Sequence, residues 1–270
     1  MIIYSNSKIN IGLNIVGKRP DGYHDLNTIF YPIPLSDIIE IIESSVFKFK
    51  KYGINSYSTI NNNLCVKAYK MLKKDFKLPN VEIYLYKSIP AQAGLGGGSS
   101  NATFTLSLLN KIFGLELTSE MLHNYALKLG SDCPFFIKNV PIYAEGRGEL
   151  FTTIDLSLKG KTIILVKPLY GISTKIAFEG VKFSEPKISL KDIYSIPLSE
   201  WKNYIKNDFE KNIFAYKPEM KKIKDKLYYA GAVYASMSGS GSAIYGLFEN
   251  HDVNTSEFEK KYFVWKGILN

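Results

Sequence analysis

"PAQAGLGGGSSNATFTLSLLN", residues 90 to 110, sets four glycines and two serines directly before an apolar-periodic segment. Ahead of it, "VEIYLYKSIP" (81–90) alternates Val81, Ile83 and Leu85 against Glu82, Tyr84 and Tyr86, the period-2 pattern of a half-buried strand. Behind it, Ala102, Leu106, Leu109 and Phe113 are spaced for one face of a helix. The glycine run is therefore expected to join a strand to a helix N-terminus. A helix N-terminus presents unpaired backbone N–H groups and partial positive charge, and glycines let an anion approach the backbone with no Cβ in the way. Phosphate is the natural guest.

Two familiar phosphate loops do not fit. A Walker loop requires Gly-Lys-Ser/Thr where this chain has Gly98-Ser99-Ser100, and a G-x-G-x-x-G opening at Gly94 would need glycine in place of Ser99. A nucleophile elbow fails as well, because neither Ser99 nor Ser100 has a glycine two places later. A merely flexible loop has no reason to be fixed between a clean strand and a clean amphipathic helix. What is left is a phosphate cradle of a third kind.

Working outward, Ile9, Ile11, Leu13 and Ile15 fall at every second position, which puts Lys8, Asn10, Gly12 and Asn14 on the opposite face of one strand. "KRPDGYH" (18–24) reads as a turn, and "NTIFYPI" (27–33) and "DIIEIIE" (37–43) as two further strands. "NNNLCVKAYKMLKKDF" (61–76) reads as a helix behind an Asn cap, and "SEMLHNYALKL" (119–129) as a helix between Thr118 and Gly130. "KTIILVKP" (161–168) and "SAIYGLFE" (242–249) are expected strands, with a charged helical region from about 187 to 230. A shift in composition between 150 and 160 places the expected domain boundary, giving 1–152 and 153–270.

The chain of 270 residues, 46% hydrophobic and 22% charged, has globular usage, without repeats or low-complexity tracts. No stretch approaches the ~18 apolar residues of a spanning helix, and "MIIYSNSKIN" lacks the pattern of a signal peptide, so a cytoplasmic protein with no membrane partner is expected. Cys65 and Cys133 stand far apart, and His24, His123 and His251 are scattered, which suits a reducing compartment and argues against zinc. The net charge of +9 is spread through "FKFKK", "MLKKDFK", "EMKKIKDK" and "EKK", as solvated faces would spread it.

"AGLGGGSSNA" (93–102) resembles the phosphate-binding motif of the superfamily of galactokinase, homoserine kinase, mevalonate kinase and phosphomevalonate kinase. "SKINIGLNIVGKRPDGYHDLNTIF" (7–30), "LGSDCPFFI" (129–137) with "AEGRGE" (144–149), and "SMSGSGSAIYG" (236–246) narrow the resemblance to members that act on a cytidine-diphosphate-linked methylerythritol. It is dense over the first 150 residues and patchy beyond. The resemblance implies a two-domain α+β small-molecule kinase, with ATP and substrate in the cleft between the domains. It would pass the γ-phosphate of ATP, with Mg²⁺, to the 2-hydroxyl of 4-diphosphocytidyl-2-C-methylerythritol, a step of the non-mevalonate route to isoprenoid precursors. By the same match, Lys8 and Asp132 are the catalytic pair and Asn10, Tyr23, His24 and Phe178 contact the substrate. Gly94, Leu95, Gly96, Gly97, Gly98, Ser99, Ser100, Asn101 and Asn63 are the ATP side, with Ser99 or Ser100 the candidate hydroxyl for Mg²⁺.

The residue types suit phosphoryl transfer, which asks for positioning and charge neutralisation. Lys8 offers a compact cation, although an ordinary strand-end lysine would look the same. Asp132, between Gly130 and Pro134, reads as an acceptor for the reacting hydroxyl, as the N-cap of the next helix, or as both together. Tyr23 and His24 directly follow a Pro-Asp-Gly turn, and an aromatic platform is worth ~1–3 kcal/mol per stacked base. Phe178 either closes that stack from the other side or belongs to the core. The "SGSGS" run (238–242) is a second anion-tolerant turn, which in the superfamily packs near the phosphate loop. Asn6-Ser7-Lys8 replaces the usual Pro-Ala-Lys, and Gln92 and Ala93 also depart from the pattern. A mevalonate or homoserine kinase would have no use for a base platform, and a basic nucleic-acid-binding module leaves the glycine run and Asp132 unexplained. The expected partners are therefore ATP and a small cytidine diphosphate substrate, with no nucleic acid, and the chain is expected to be a monomer or weak homodimer.

Overall fold

The computed structural model describes residues 1–54, 59–179, 181, 186 and 188–270. They cluster into two compact units: Met1–Ser7, Leu35–Ala91 and Gly96–Val140 form the first, and Lys8–Pro34, Gln92–Leu95 and Pro141–Asn270 the second. Strands β1 (Ile2–Lys18) and β2 (His24–Glu43) contribute residues to both.

The first unit is a sheet backed by helices. Strand β3 (Lys48–Gly53) runs parallel to β4 (Val81–Lys87), β4 pairs antiparallel with β2 from Ile38↔Tyr86 to Glu43↔Val81, and β1 pairs β2. Ile39, Ile41, Val81, Ile83 and Leu85 pack on Cys65, Ala68 and Leu72 of α1 (Leu64–Phe76) and on Ala102, Leu106 and Leu109 of α2 (Gly97–Phe113). The caps follow local chemistry. Asn63 accepts from Cys65 N at 2.9 Å to start α1, and Thr118 accepts from Met121 N at 3.2 Å to start α3 (Ser119–Leu129), which gives way to the four-residue α4 (Phe135–Lys138).

The second unit carries β5 (Ile142–Glu145) and β6 (Leu150–Thr153), which pair with each other, and β5 also pairs antiparallel with β2 from Thr28↔Ala144 to Phe30↔Ile142. It also holds an antiparallel sheet in the order β10-β7-β9-β8, from β7 (Thr162–Lys167), β8 (Tyr234–Met237), β9 (Ile244–Phe248) and β10 (Phe263–Ile268). Its described residues also form the α-helices α5 (Thr174–Phe178), α6 (Trp201–Tyr204), α7 (Phe209–Tyr216), α8 (Pro218–Tyr229) and α9 (Ser256–Glu259). Ile164, Val166, Ile213, Met220, Ile223, Leu227, Ile244 and Phe248 share its core with Leu13 and Ile15 of β1.

Three features differ from the sequence expectation. Strand β2 is continuous where two strands were expected, because Pro32 and Pro34 fall between its registers with β5 and β4, where a missing N–H costs no bond to either. Strand β3 has the lysine-rich sequence of a solvated face, yet Phe47 and Phe49 alternate with Lys48 and Lys50 and pack on the core. The region from 187 to 230 is broken into short pieces, and its first residue lies outside the described ones. Leu13 bonds to Lys206 O and Asp208 N across the gap between α6 and α7, and Pro218 starts α8 afresh. No helix among the described residues is long and apolar enough to cross a membrane.

Leu106 is fully buried between α2 and the sheet. Leu106→Ala is expected to cost ~2–5 kcal/mol in urea unfolding, and a loss below about 1 kcal/mol would show that this face is not core.

Candidate active site

In the first unit, α2 begins at Gly97 with no side chain capping it, and Gly96 ahead of it takes φ 67°. A Cβ on Gly97 would lie 2.8 Å from Ile89 Cγ2, so glycine lets the helix start settle on the exit of β4. Gly98 is exposed, and a Cβ there would meet only Leu64 at 3.7 Å. A first turn with no side-chain cap and little covering it is what an anion site requires.

The neighbouring polar residues divide into two groups. Ser100 is buried and its Oγ donates to the Asn6 carbonyl at 2.5 Å, while Ser99 is half-buried with its hydroxyl against the Cys133 thiol. Burial pushes that thiol up to about 11. Thr103 Oγ1 donates to the Cys133 carbonyl at 2.7 Å, and Cys133 N closes a turn onto Gly130 O at 3.1 Å. The half-buried Asp132 sits inside this turn, so Ser99 and Thr103 of α2 hold the segment that carries it. Helix α4 has Pro134, not Asp132, at its N-cap position. Asn63 is occupied by capping α1, and the Asn101 side chain lies in a buried cluster with Ser5, Asp37 and Lys87.

In the second unit, Lys8 is 3% exposed, its Nζ donates to Asn10 Oδ1 at 2.5 Å and lies 4.6 Å from the centre of the Phe30 ring. Asn10 is a hub. Its Nδ2 donates to Thr28 Oγ1 at 2.9 Å, its N–H to Ser238 Oγ at 3.1 Å, and its carbonyl accepts from Tyr245 at 2.8 Å. Thr28 passes its proton on to Gly12 O at 2.6 Å, and Ser238 to Gly94 O at 2.8 Å. Lys8 N donates to Leu95 O, while Ser242 N and Ala243 N donate to the Gln92 and Ala93 carbonyls. The "SGSGS" turn is thereby stitched to the opening of the glycine run. Gly94 has φ 74°, and a Cβ there would come within 1.9 Å of the Ser238 carbonyl oxygen.

Tyr23 is 57% exposed with the Arg147 guanidinium 5.1 Å from its ring centre. His24 stacks directly on Phe178, 4.4 Å apart and 14° from parallel, and Phe178 meets Phe209 edge-on. Rings that close leave no gap for a base between them. Sequence reasoning gave no role to Thr28, Phe30, Arg147 or Tyr245. Thr28 and Phe30 stand two apart on β2, a period-2 signal that was available.

The GHMP kinases N terminal domain family matches residues 63–139, and the GHMP kinases C terminal family matches residues 189–256. A 4-diphosphocytidyl-2-C-methyl-D-erythritol kinase of Bacteroides fragilis is 51% identical over 267 residues, 97% of either chain. One from Bacteroides thetaiotaomicron is 48% identical over the whole of both chains. The chain belongs to the 4-diphosphocytidyl-2-C-methyl-D-erythritol kinase family. A crystal structure of a 4-(cytidine 5'-diphospho)-2C-methyl-D-erythritol kinase superposes with a TM-score of 0.86 at 29% identity, covering 100% of this chain and 99% of that one. A Methanococcus jannaschii mevalonate kinase, 18% identical with a TM-score of 0.69 over 100% and 98% of the chains, shares the fold. The first matched segment of this family member holds Asn63, Gly94 to Asn101 and Asp132, whereas Lys8, Asn10, Tyr23, His24 and Phe178 lie outside both segments.

Gly94→Ala is expected to destabilise by well over 1 kcal/mol, because the left-handed backbone and the Ser238 carbonyl both oppose a Cβ. Gly114→Ala, at φ 56° with open space around it, should cost only about 1 kcal/mol. Equal losses in thermal unfolding would contradict the close packing read here.

Proposed function

We propose that this chain transfers the γ-phosphate of ATP to the 2-hydroxyl of 4-diphosphocytidyl-2-C-methyl-D-erythritol, in the non-mevalonate route to isoprenoid precursors. Membership of the family over the full chain carries the reading. The uncapped glycine start of α2 supports it from the chemistry, since ATP brings the anion that such a helix end accepts.

On this reading the backbone from Gly94 to Asn101 takes the ATP phosphates, with Asn63 on the nucleotide side. On the same reading Mg²⁺ would lean on the substrate phosphates, as magnesium commonly does, with few protein ligands. Bound there, Mg²⁺ neutralises charge on the phosphate oxygens. Ser99 is the better hydroxyl for it, because it is half-buried whereas Ser100 is wholly buried. Lys8, pinned by Asn10, supplies a fixed cation. Asp132 accepts the hydrogen bond of the 2-hydroxyl and, a carboxylate being a weak base, takes the proton late as the new P–O bond forms. Asn10 keeps one amide hydrogen and one lone pair for the substrate. Tyr23, His24 and Phe178 recognise the cytosine, with Phe178 moving off His24 if the base enters between them.

A cytoplasmic location belongs to the same reading. The proposed domains, 1–152 and 153–270, divide the chain by sequence order, whereas by contacts 8–34 and 141–152 group with the C-terminal residues; the chain acts as a monomer or weak homodimer on small molecules alone.

ATP and Mg²⁺ offered with diphosphocytidyl-methylerythritol, mevalonate and homoserine in parallel should give turnover of the cytidine substrate only. Asp132→Asn should lower kcat by ~10²–10⁴. Turnover of mevalonate or homoserine instead, or an unimpaired Asp132→Asn, would sink the proposal. Tyr23→Ala should raise KM for the cytidine substrate roughly 5- to 150-fold, the worth of one stacked base, with KM for ATP unchanged. An equal rise in both would remove the base platform from the account.

A further inference from the structure

Asp37 lies on β2 outside every motif, and it is wholly buried. Its four acceptor positions are all used. Oδ1 accepts from Ser88 N at 2.7 Å and Ile89 N at 2.8 Å, and Oδ2 accepts from Lys87 Nζ and from Asn101 Nδ2 at 2.8 Å. Lys87 Nζ also donates to Asn101 Oδ1 at 3.0 Å, and Asn101 Nδ2 to Ser5 Oγ at 2.8 Å.

These partners stand on the two flanks of the glycine run. Lys87 ends β4, Ser88 and Ile89 lead out of it, and Asn101 is in the second turn of α2. One carboxylate thus ties the strand before the run to the helix after it. Ile89 is also the residue on which Gly97 rests, and a Cβ on Gly97 would lie 3.5 Å from Lys87 Nζ. A buried ion pair is a poor source of stability, since apolar replacements of the same volume are often as stable. Fixed geometry is what this one supplies.

We infer that Asp37 is a positioning residue for phosphoryl transfer, acting through Lys87 and Asn101 to hold the uncapped start of α2 where the ATP phosphates bind. The inference rests on the proposed kinase reading of that helix start. Reaction rates fall steeply when a bound group is misplaced by about 1 Å, so a loosened helix start weakens ATP binding before it unfolds the chain.

Two double variants test it without leaving a lone buried charge. Lys87→Met with Asp37→Asn keeps the acceptor for Ser88 and Ile89 and a link to Asn101, whereas Lys87→Met with Asp37→Ala keeps neither. Steady-state kinetics and calorimetric titration with ATP are expected to give the Asn form a KM and Kd for ATP within about twofold of wild type. The Ala form should show both raised about tenfold, with KM for the cytidine substrate unchanged. Asn101→Ala, which leaves the ion pair in place, should move ATP affinity in the same direction and guards against a double variant that fails to fold. Equal ATP affinity in the Asn and Ala forms, or an equal rise in KM for both substrates, overturns the inference. Wild-type protein that binds ATP without turning over the cytidine substrate overturns the function proposed above while the ATP titrations still decide the role of Asp37; wild type that binds no ATP overturns both.

Discussion

Helix α2 starts on two glycines with no side chain to cap it, so its first N–H groups must be satisfied from outside the helix. Much of the first unit is arranged around that opening. Strand β4 delivers the chain to it, Gly97 lets the helix settle against Ile89, and hydroxyls of Ser99 and Thr103 hold the turn that carries Asp132. The usual remedy, a Ser, Thr, Asp or Asn at the N-cap, is used at α1 and α3. Its absence at α2 leaves the position available to a ligand.

The second unit meets a different constraint, that of burying a lysine. Lys8 is nearly inaccessible, and a buried ammonium is costly unless its donors are engaged. Asn10 and the face of Phe30 engage it, and Asn10 is in turn fixed by Thr28, Ser238 and Tyr245. The network orders one cation at the cost of polar groups drawn from four separate stretches of chain. A flexible surface lysine would need none of them.

What could be read in advance follows from this division. The strand, glycine run and helix from 81 to 113, the Asn63 cap and the Thr118 cap are all signalled within a few residues of sequence, and periodicity and capping chemistry expose them. The continuity of β2 and the broken helices after 187 depend on partners far along the chain, which no local pattern encodes. The site divides likewise. Tyr23, His24 and the serines of the run stand beside turns and can be proposed from local sequence alone, but Thr28, Ser238 and Tyr245 gather on Asn10 only through strand pairing. Asp132 suited an N-cap by its position before Pro134, yet Pro134 itself holds that place in the folded chain.

The amides at the uncapped start of α2 are the proposed phosphate site. An amide-resolved NMR titration of the full chain with Mg²⁺ and ATP, with adenosine as control, addresses them directly. The resonances of Gly97, Gly98 and Ser99 should shift with ATP and stay in place with adenosine. ATP binding that leaves those three amides unmoved would contradict the claim that this helix end is the phosphate site.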